Sequence, residues 1–301
     1  MISTMRVVVI RHDDVDCAGF VGDAFEARGA ELAVHPFPAD GPLPPLSGVD
    51  HILVLGSDSS VNDPGTWIAS ELAWLRQADK AGLPVLGICF GGQAICAAFG
   101  GRVEAMARKE IGWVMVDSAD RAVIPAGPWL EFHGDRCLPP PRATVLARNA
   151  AGVQAFALGR HLALQFHPEV DGPQLKRWLD AGGNQDAEQA GLDPGEFLAD
   201  TIRHEAAARK RADHLVAIAL ARAQSVPRGG TVSLQMPRSA GTVRVALVLS
   251  FLGGCRRWPM HFGVSPTQKD RSVLFSHAGR GIGYDACVPR RCSSVGRAAV
   301  L

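Results

Sequence analysis

Along the first hundred residues, two patterns of apolar and polar positions take turns. Short runs of consecutive apolar side chains, the mark of strands buried on both faces, fall at residues 6–10, 31–37, 51–55 and around Val85. Between them lie stretches with helical spacing, at residues 19–27 and 66–81. In the second, Trp67, Ile68, Leu72 and Leu75 share a face, and Asp63-Pro64 offers a start signal. A proline-rich connection, residues 42–46, separates the second and third strands. This strand–helix–strand alternation predicts a parallel sheet covered by helices. From Gly100 the pattern changes to short β-type runs at residues 112–116, 129–133, 144–147 and 153–158. They predict an antiparallel insertion, after which an apolar strand from Leu162, ending in His167-Pro168-Glu169, returns to the main sheet. Residues 173–181 read as a helix, and residues 194–223 as one long helix or two. The expected fold class is therefore α/β: a mostly parallel central sheet flanked by helices, with a small antiparallel insertion.

Charge changes this picture at one place. The 301 residues carry a net charge of +1, which by itself points to neither nucleic acid nor membrane. Residues 1–224, however, hold 20 Lys and Arg against 28 Asp and Glu, whereas residues 225–301 hold 11 against 2. We expect two segments, an α/β domain over residues 5–224 and a basic Gly/Pro-rich tail over 225–301. The tail has no sustained period, and its last ten residues resemble a mistranslated structural-RNA gene. A disordered or non-native tail is the expectation; a basic RNA-binding arm is the alternative. Cys287 and Cys292 lack the second ligand pair that a zinc site needs.

No secretory signal and no apolar run of membrane-spanning length is evident in these residues. The seven scattered cysteines do not form a disulfide framework, and a reducing, cytoplasmic setting is expected.

Candidate chemistry concentrates in two stretches. In Gly87-Ile88-Cys89-Phe90-Gly91 a thiol stands between a strand and a helix, flanked by residues that let backbones pass closely. A strained turn there lifts the nucleophile above the sheet edge, at a helix N-terminus whose partial positive charge favours thiolate. The alternative is a Gly-rich turn with an inert cysteine. The second stretch, Gln165-Phe-His-Pro-Glu169, supplies an imidazole, His167, and a carboxylate, Glu169, that can hold its ring and tautomer. Here the alternative is a His that caps a strand end beside a solvated Glu. Both stretches follow strands, and sites in such folds lie beyond the carboxyl ends of strands. Asp13, Asp14 and Asp16 read as a solvated loop rather than a metal site, and Cys17 and Cys96 as small buried residues.

Together, Gly-x-Cys-x-Gly-x-Gln and Gln-Phe-His-Pro-Glu resemble the class I glutamine amidotransferases, nearest to their stand-alone, GMP-synthase-like members. The resemblance spans about three quarters of the chain and implies a flavodoxin-like architecture. It also implies a Cys89–His167–Glu169 triad that hydrolyses the amide of glutamine through a thioester, with no cofactor and no metal. By the same resemblance, the amides of Phe90 and of the Gly56-Ser57 loop form the oxyanion hole, and Gln93 helps hold glutamine. His133 and Asp135 resemble a substrate-side segment, with a surface loop as the other reading. The family's Gly-Gly-Pro is Gly56-Ser57-Asp58 here, which puts the oxyanion loop in doubt. Neither a P-loop nor a pyrophosphatase-type Gly-rich loop is found, so the ammonia would go to a separate synthase subunit. Alternatively the domain acts alone on γ-glutamyl substrates, or is a non-catalytic relative of the fold.

Overall fold

Val7 and Val9 face one side of the first strand, and Val8 and Ile10 face the other. That period of two recurs in the neighbouring parallel strands and separates two cores, one on each face of the sheet. The computed structural model describes residues 4–225 and, beyond them, the backbone of two short strands. In chain order these are β1 (Met5–Arg11), α1 (Gly19–Glu26), β2 (Ala30–Pro36), β3 (His51–Val54), α2 (Thr66–Lys80), β4 (Val85–Ile88) and α3 (Phe90–Ala98). Next come β5 (Arg102–Met115), β6 (Asp117–Ser118), β7 (Pro128–Leu138), β8 (Thr144–Arg148), β9 (Val153–Leu158) and β10 (His161–Leu164). The domain closes with α4 (Gly172–Trp178), a π-helical turn (Leu179–Gly183), α5 (Asn184–Gln189) and α6 (Pro194–Ser225).

The sheet runs β2-β1-β3-β4-β10-β9-β7-β5, with β8 beside β9 and β6 beside β8. β2, β1, β3, β4 and β10 pair in parallel; from β10 to β9 onward every pairing is antiparallel. The α/β architecture is as expected, and the antiparallel strands continue the same sheet and make up half of it. On one face, Val7, Val9, Leu53, Leu86, Ile88, Leu162 and Leu164 pack with α1 and with Ala208, Ala212, Leu215, Val216 and Ala219 of α6. On the other, Val8, Ile10, Ile52, Val54 and Val85 pack with α2 and with Phe90, Ala94, Ile95 and Cys96 of α3.

Several boundaries differ from the sequence reading, each for a local reason. β5 begins ten residues earlier than its apolar run, because its first part lies at the sheet edge, where polar side chains stay exposed. α6 is one helix of 32 residues, not two; Phe197, Thr201, Ala208, Ala212, Leu215 and Ala219 keep one buried stripe along it. α5 went unread because its residues, Asn184–Gln189, are almost all polar and follow two glycines. β10 stops at Leu164, so His167 stands in the turn beyond it. Cys96 is buried as expected, but Cys17 is only half-buried.

The chain divides into two units, Met1–Arg228 and Gly229–Leu301. In the second, β11 (Ala246–Phe251) and β12 (Gly254–Pro259) form an antiparallel pair. The other expectations for residues 225–301, including Cys287 and Cys292, lie outside the described residues. Among the described residues no helix is long and apolar enough to cross a membrane.

α3 approaches the strand ends closely enough to exclude a side chain. A Cβ at Gly91 would lie 2.3 Å from the carbonyl oxygen of Val54 in β3. Gly91→Ala is therefore expected to cost about 2 kcal/mol or more of stability. Urea denaturation should show a lowered midpoint with unchanged slope; an unmoved midpoint would mean that α3 can retreat.

Candidate active site

Cys89 adopts φ 49° and ψ −108°, the only positive φ on a non-glycine residue among those described. The turn leaves no choice. Its amide is bound to Leu164 O of β10 at 2.8 Å, and the amide of Gly91 to Leu55 O at 3.2 Å. Cβ atoms at Gly87 and Gly92 would meet Gly91 O at 2.4 Å and Leu164 O at 2.6 Å. α3 thus begins directly above β4, with Cys89 at its cap position and the Phe90 amide at its first turn, where no helical carbonyl can accept it.

β10 is the parallel neighbour of β4, so the chain beyond its carboxyl end arrives beside the thiol. His167 donates from Nδ1 to Glu169 Oε1 at 2.7 Å, and both side chains are almost fully buried. His167 Nε2 makes no other hydrogen bond of good geometry and lies in reach of the Cys89 sulfur. Burial alone would lower the pKa of this imidazole. The Glu169 carboxylate and then the Cys89 sulfur outweigh that, and hold it well above 6.5. Trp178 sets the edge of the ring, with centroids 4.8 Å apart.

Gly56, past β3, packs against this pair; a Cβ on it would lie 3.3 Å from His167 Cε1 and 3.8 Å from the Cys89 Cβ. Close approach is the reason for glycine here. Ser57 has no positive φ, so the serine carries no backbone strain. The loop is tied down by Asp58 N to Asp13 Oδ2 at 3.2 Å and by the Ser60 hydroxyl to Asp135 Oδ2 at 2.5 Å. Cys89, His167, Gly56, Ser57 and Trp178 line a cleft of about 320 Å³, with Asp13, Asp16, Asp58, Lys109 and Asp186 around it. A smaller hollow of about 160 Å³ also opens on Cys89, lined by Gln93, His133 and Asp135.

Of the remaining sequence candidates, Gln93 is buried and donates to Gln165 Oε1 at 3.4 Å; Gln165 in turn donates to the Cys89 sulfur at 3.7 Å. His133 has both ring nitrogens occupied, Nδ1 by Asp135 O at 2.8 Å and Nε2 by Glu110 at 3.0 Å. Burial opposes its protonation, but Glu110 and Glu131 raise its pKa to about 10. Burial raises Glu131 to about 7. These three are also the grouping among the described residues whose ligand atoms, within 4.8 Å of one another, are spaced to hold a metal ion. Ion pairing accounts for that closeness.

Sequence reasoning missed Gln165, Trp178, Lys109 and Asp16. Asp16 is the clearest correction, since the loop was read as solvated. It is buried, and accepts from Trp178 Nε1 at 2.7 Å. No local signal marks it, because its partner lies 162 positions away. Gln165 was within sight, two residues before His167.

The comparisons with known proteins agree with this fold. The family model for class I glutamine amidotransferases matches residues 20–181, more than half of the chain. The glutamine-hydrolyzing GMP synthase of Thermomicrobium roseum is 40% identical over 128 residues, covering 40% of this chain and 23% of that protein. That of Nitrobacter hamburgensis is 36% identical over 149 residues, covering 44% and 26%. The chain thus spans about a quarter of the length of the curated relatives it matches. Among solved structures, a glutamine amidotransferase of Thermotoga maritima has a TM-score of 0.66 at 25% identity, covering 72% of this chain and 99% of that one. One of Methylobacillus flagellatus has a TM-score of 0.67 at 25% identity, covering 76% and 98%.

Asp16 offers a pH test of this geometry. Burial raises its pKa from 3.8 to about 6, so the folded protein keeps a proton that the unfolded chain releases. The stability it contributes falls as pH rises from about 4 to about 6, and is level above. Asp16→Asn removes this slope. Across that window the variant is expected to gain on the order of 2–3 kcal/mol relative to wild type, read by urea denaturation in pH steps. A difference that stays constant would place the carboxyl in solvent.

Proposed function

The chain belongs to the class I glutamine amidotransferase family, and from that premise we propose that it hydrolyses the γ-amide of glutamine through a Cys89 thioester. Cys89 Sγ, having passed its thiol proton to His167 Nε2, attacks the amide carbon as a thiolate. His167 then delivers that proton to the leaving nitrogen, and ammonia departs as the C–N bond breaks. Water, activated by the same nitrogen, attacks the thioester, and glutamate and the thiol are regenerated. Glu169 holds the ring with Nδ1 protonated and offsets the imidazolium charge. Negative charge on the carbonyl oxygen calls for preset donors, and the amides of Phe90 and Ser57 are assigned that role.

One observation carries the reading. A cysteine held at positive φ, on a turn that glycines make unavoidable, faces a buried imidazole braced by a carboxylate at 2.7 Å. A purely structural turn has no use for that conformation, which counts against a non-catalytic relative.

The GMP synthases it resembles contain the matched stretch as about a quarter of their length. By that likeness, the ammonia would pass to a synthase subunit. The two solved amidotransferases are instead covered almost end to end. That observation favours a second reading, in which the domain acts by itself on γ-glutamyl compounds.

Ammonia release from glutamine, compared with amine release from γ-glutamyl dipeptides, separates the two readings. Cys89→Ala is expected to abolish either activity, and Glu169→Gln to lower kcat by about 10³- to 10⁴-fold. A glutamine-derived electrophile should label Cys89 alone. Labelling of Cys17 in its place, or activity that survives in Cys89→Ala, would overturn the proposal.

A further inference from the structure

His12 follows β1 directly, and the thioester chemistry gives it no task. Its side chain is 2% exposed and that of Glu71, from α2, is 1% exposed. Nδ1 lies 2.9 Å from the carbonyl oxygen of Gly56, and Nε2 lies 3.0 Å from Glu71 Oε2. A carbonyl oxygen only accepts, and so does an ionised carboxylate, so both ring nitrogens carry hydrogen. Burial opposes that charge, but Glu71 and the Gly56 carbonyl outweigh it and raise the pKa of the ring. Sealing an ion pair from water is costly, and Glu71 Oε1 has no partner to offset the cost. Stability alone is a poor reason for such a pair.

Its geometry suggests a better one. The Gly56–Ser57 peptide is trans, since the single cis bond among the described residues is Phe37–Pro38. In a planar trans peptide the C=O and the N–H point in opposite directions. His12 holds the Gly56 carbonyl from the side of Trp67 and Phe90, whose rings it meets at 5.5 and 4.7 Å. Gly56 and Ser57 also line the cleft, beside Cys89 and His167.

We infer that His12 and Glu71 are positioning residues: together they lock the Gly56–Ser57 peptide with the Ser57 N–H turned towards the cleft, as a preset oxyanion donor. The inference rests on the hydrolase reading above. A peptide in a loop can flip, and the flip would replace a donor with a carbonyl oxygen that repels the developing charge. A hydrogen bond to the carbonyl from a charged ring resists that flip, and Glu71 keeps the ring charged and aimed. The same ring also packs on the side chain of Phe90, the residue whose amide is the other donor.

The test compares two reactions of Cys89 in the full chain. Glutamine hydrolysis builds an oxyanion; alkylation by iodoacetamide is displacement at a saturated carbon and builds none. His12→Phe is expected to lower kcat about 10²- to 10³-fold, with KM and the alkylation rate changed by less than about threefold. His12→Gln, whose amide can still donate to Gly56 O, should recover about tenfold of the loss. Glu71→Gln keeps an acceptor but removes the charge. It should cost about tenfold, and it serves as the comparison if His12→Phe does not fold. A crystal structure of a His12 or Glu71 variant should show the Gly56–Ser57 peptide flipped or in two orientations. Unchanged kcat, an equal loss of alkylation, or a peptide that keeps its orientation would overturn the inference. A wild-type protein that alkylates at Cys89 yet cleaves no γ-glutamyl amide would sink the hydrolase reading instead, and the peptide orientation would still decide the role of His12.

Discussion

Three strand ends meet α3 beneath Cys89 with no room for a Cβ between the backbones. α3 presses Gly91 onto Val54 of β3, Gly92 onto Leu164 of β10, and Gly87 of β4 onto Gly91 itself. Because the helix sits this low on the sheet, the chain must turn within one residue, and that residue takes φ 49°. A conformation of this kind costs roughly 1–3 kcal/mol. It persists because the amides of Cys89 and Gly91, bonded to Leu164 O and Leu55 O, fix the turn. Everything at the site inherits its position from this turn. The sulfur stands clear of the sheet, the Phe90 amide lies in the first helical turn where no helical carbonyl accepts it, and the neighbouring parallel strand brings His167 alongside.

Electrostatics then distinguishes histidines that topology alone would leave equivalent. His12, His133 and His167 all lie near Cys89, all are buried, and each has a carboxylate within about 3 Å. His12 and His133 have both ring nitrogens bonded to protein groups, so neither can accept a proton from a thiol. His167 alone among the three has its second nitrogen unoccupied and in reach of the sulfur. The carboxylate thus does different work in each place. At Glu169 it braces the imidazole assigned as the base; at Glu71 it keeps a donor charged and aimed at a loop carbonyl; at Glu110 and Glu131 it anchors a strand pair behind the cleft.

How far the sequence discloses such a site depends on the range of its contacts. The turn at Cys89 and the His167–Glu169 pair are local: spacing of two to five residues, set against apolar runs, is enough to suggest them. The parallel half of the sheet is readable for the same reason, since its strands are apolar on both faces. The first part of β5, and all of α5, were missed because edge and surface elements keep polar side chains, which weakens the periodic signal. Glu71 looked like any polar residue on a surface helix, although it is fully buried under a histidine 59 positions earlier. Asp16 looked like one of several loop carboxylates until Trp178 covered it. In both cases the deciding contact joins residues that no sequence window contains together.

The same division separates the reaction from what it acts on. The groups assigned to bond-breaking are carried by strand ends and a glycine-bound turn, where a shift of a few tenths of an ångström meets backbone. The walls of the cleft come from elsewhere: the Asp13–Asp16 segment after β1, the loop past Gly56, and the π-helical turn that follows α4. In that turn Gly182 takes φ 124°, and a Cβ at Gly183 would lie 2.8 Å from Trp178 O. The break in helical geometry lets Trp178 reach His167 and Asp16 while Ala181, Gly182 and Gly183 face the cleft. A rigid floor with walls of this kind allows one thioester chemistry to serve different leaving groups, because the walls can change without disturbing the turn. On the proposed reading, the choice between free glutamine and a larger γ-glutamyl compound falls to these walls, joined by Lys109 and Phe132, and not to the assigned triad.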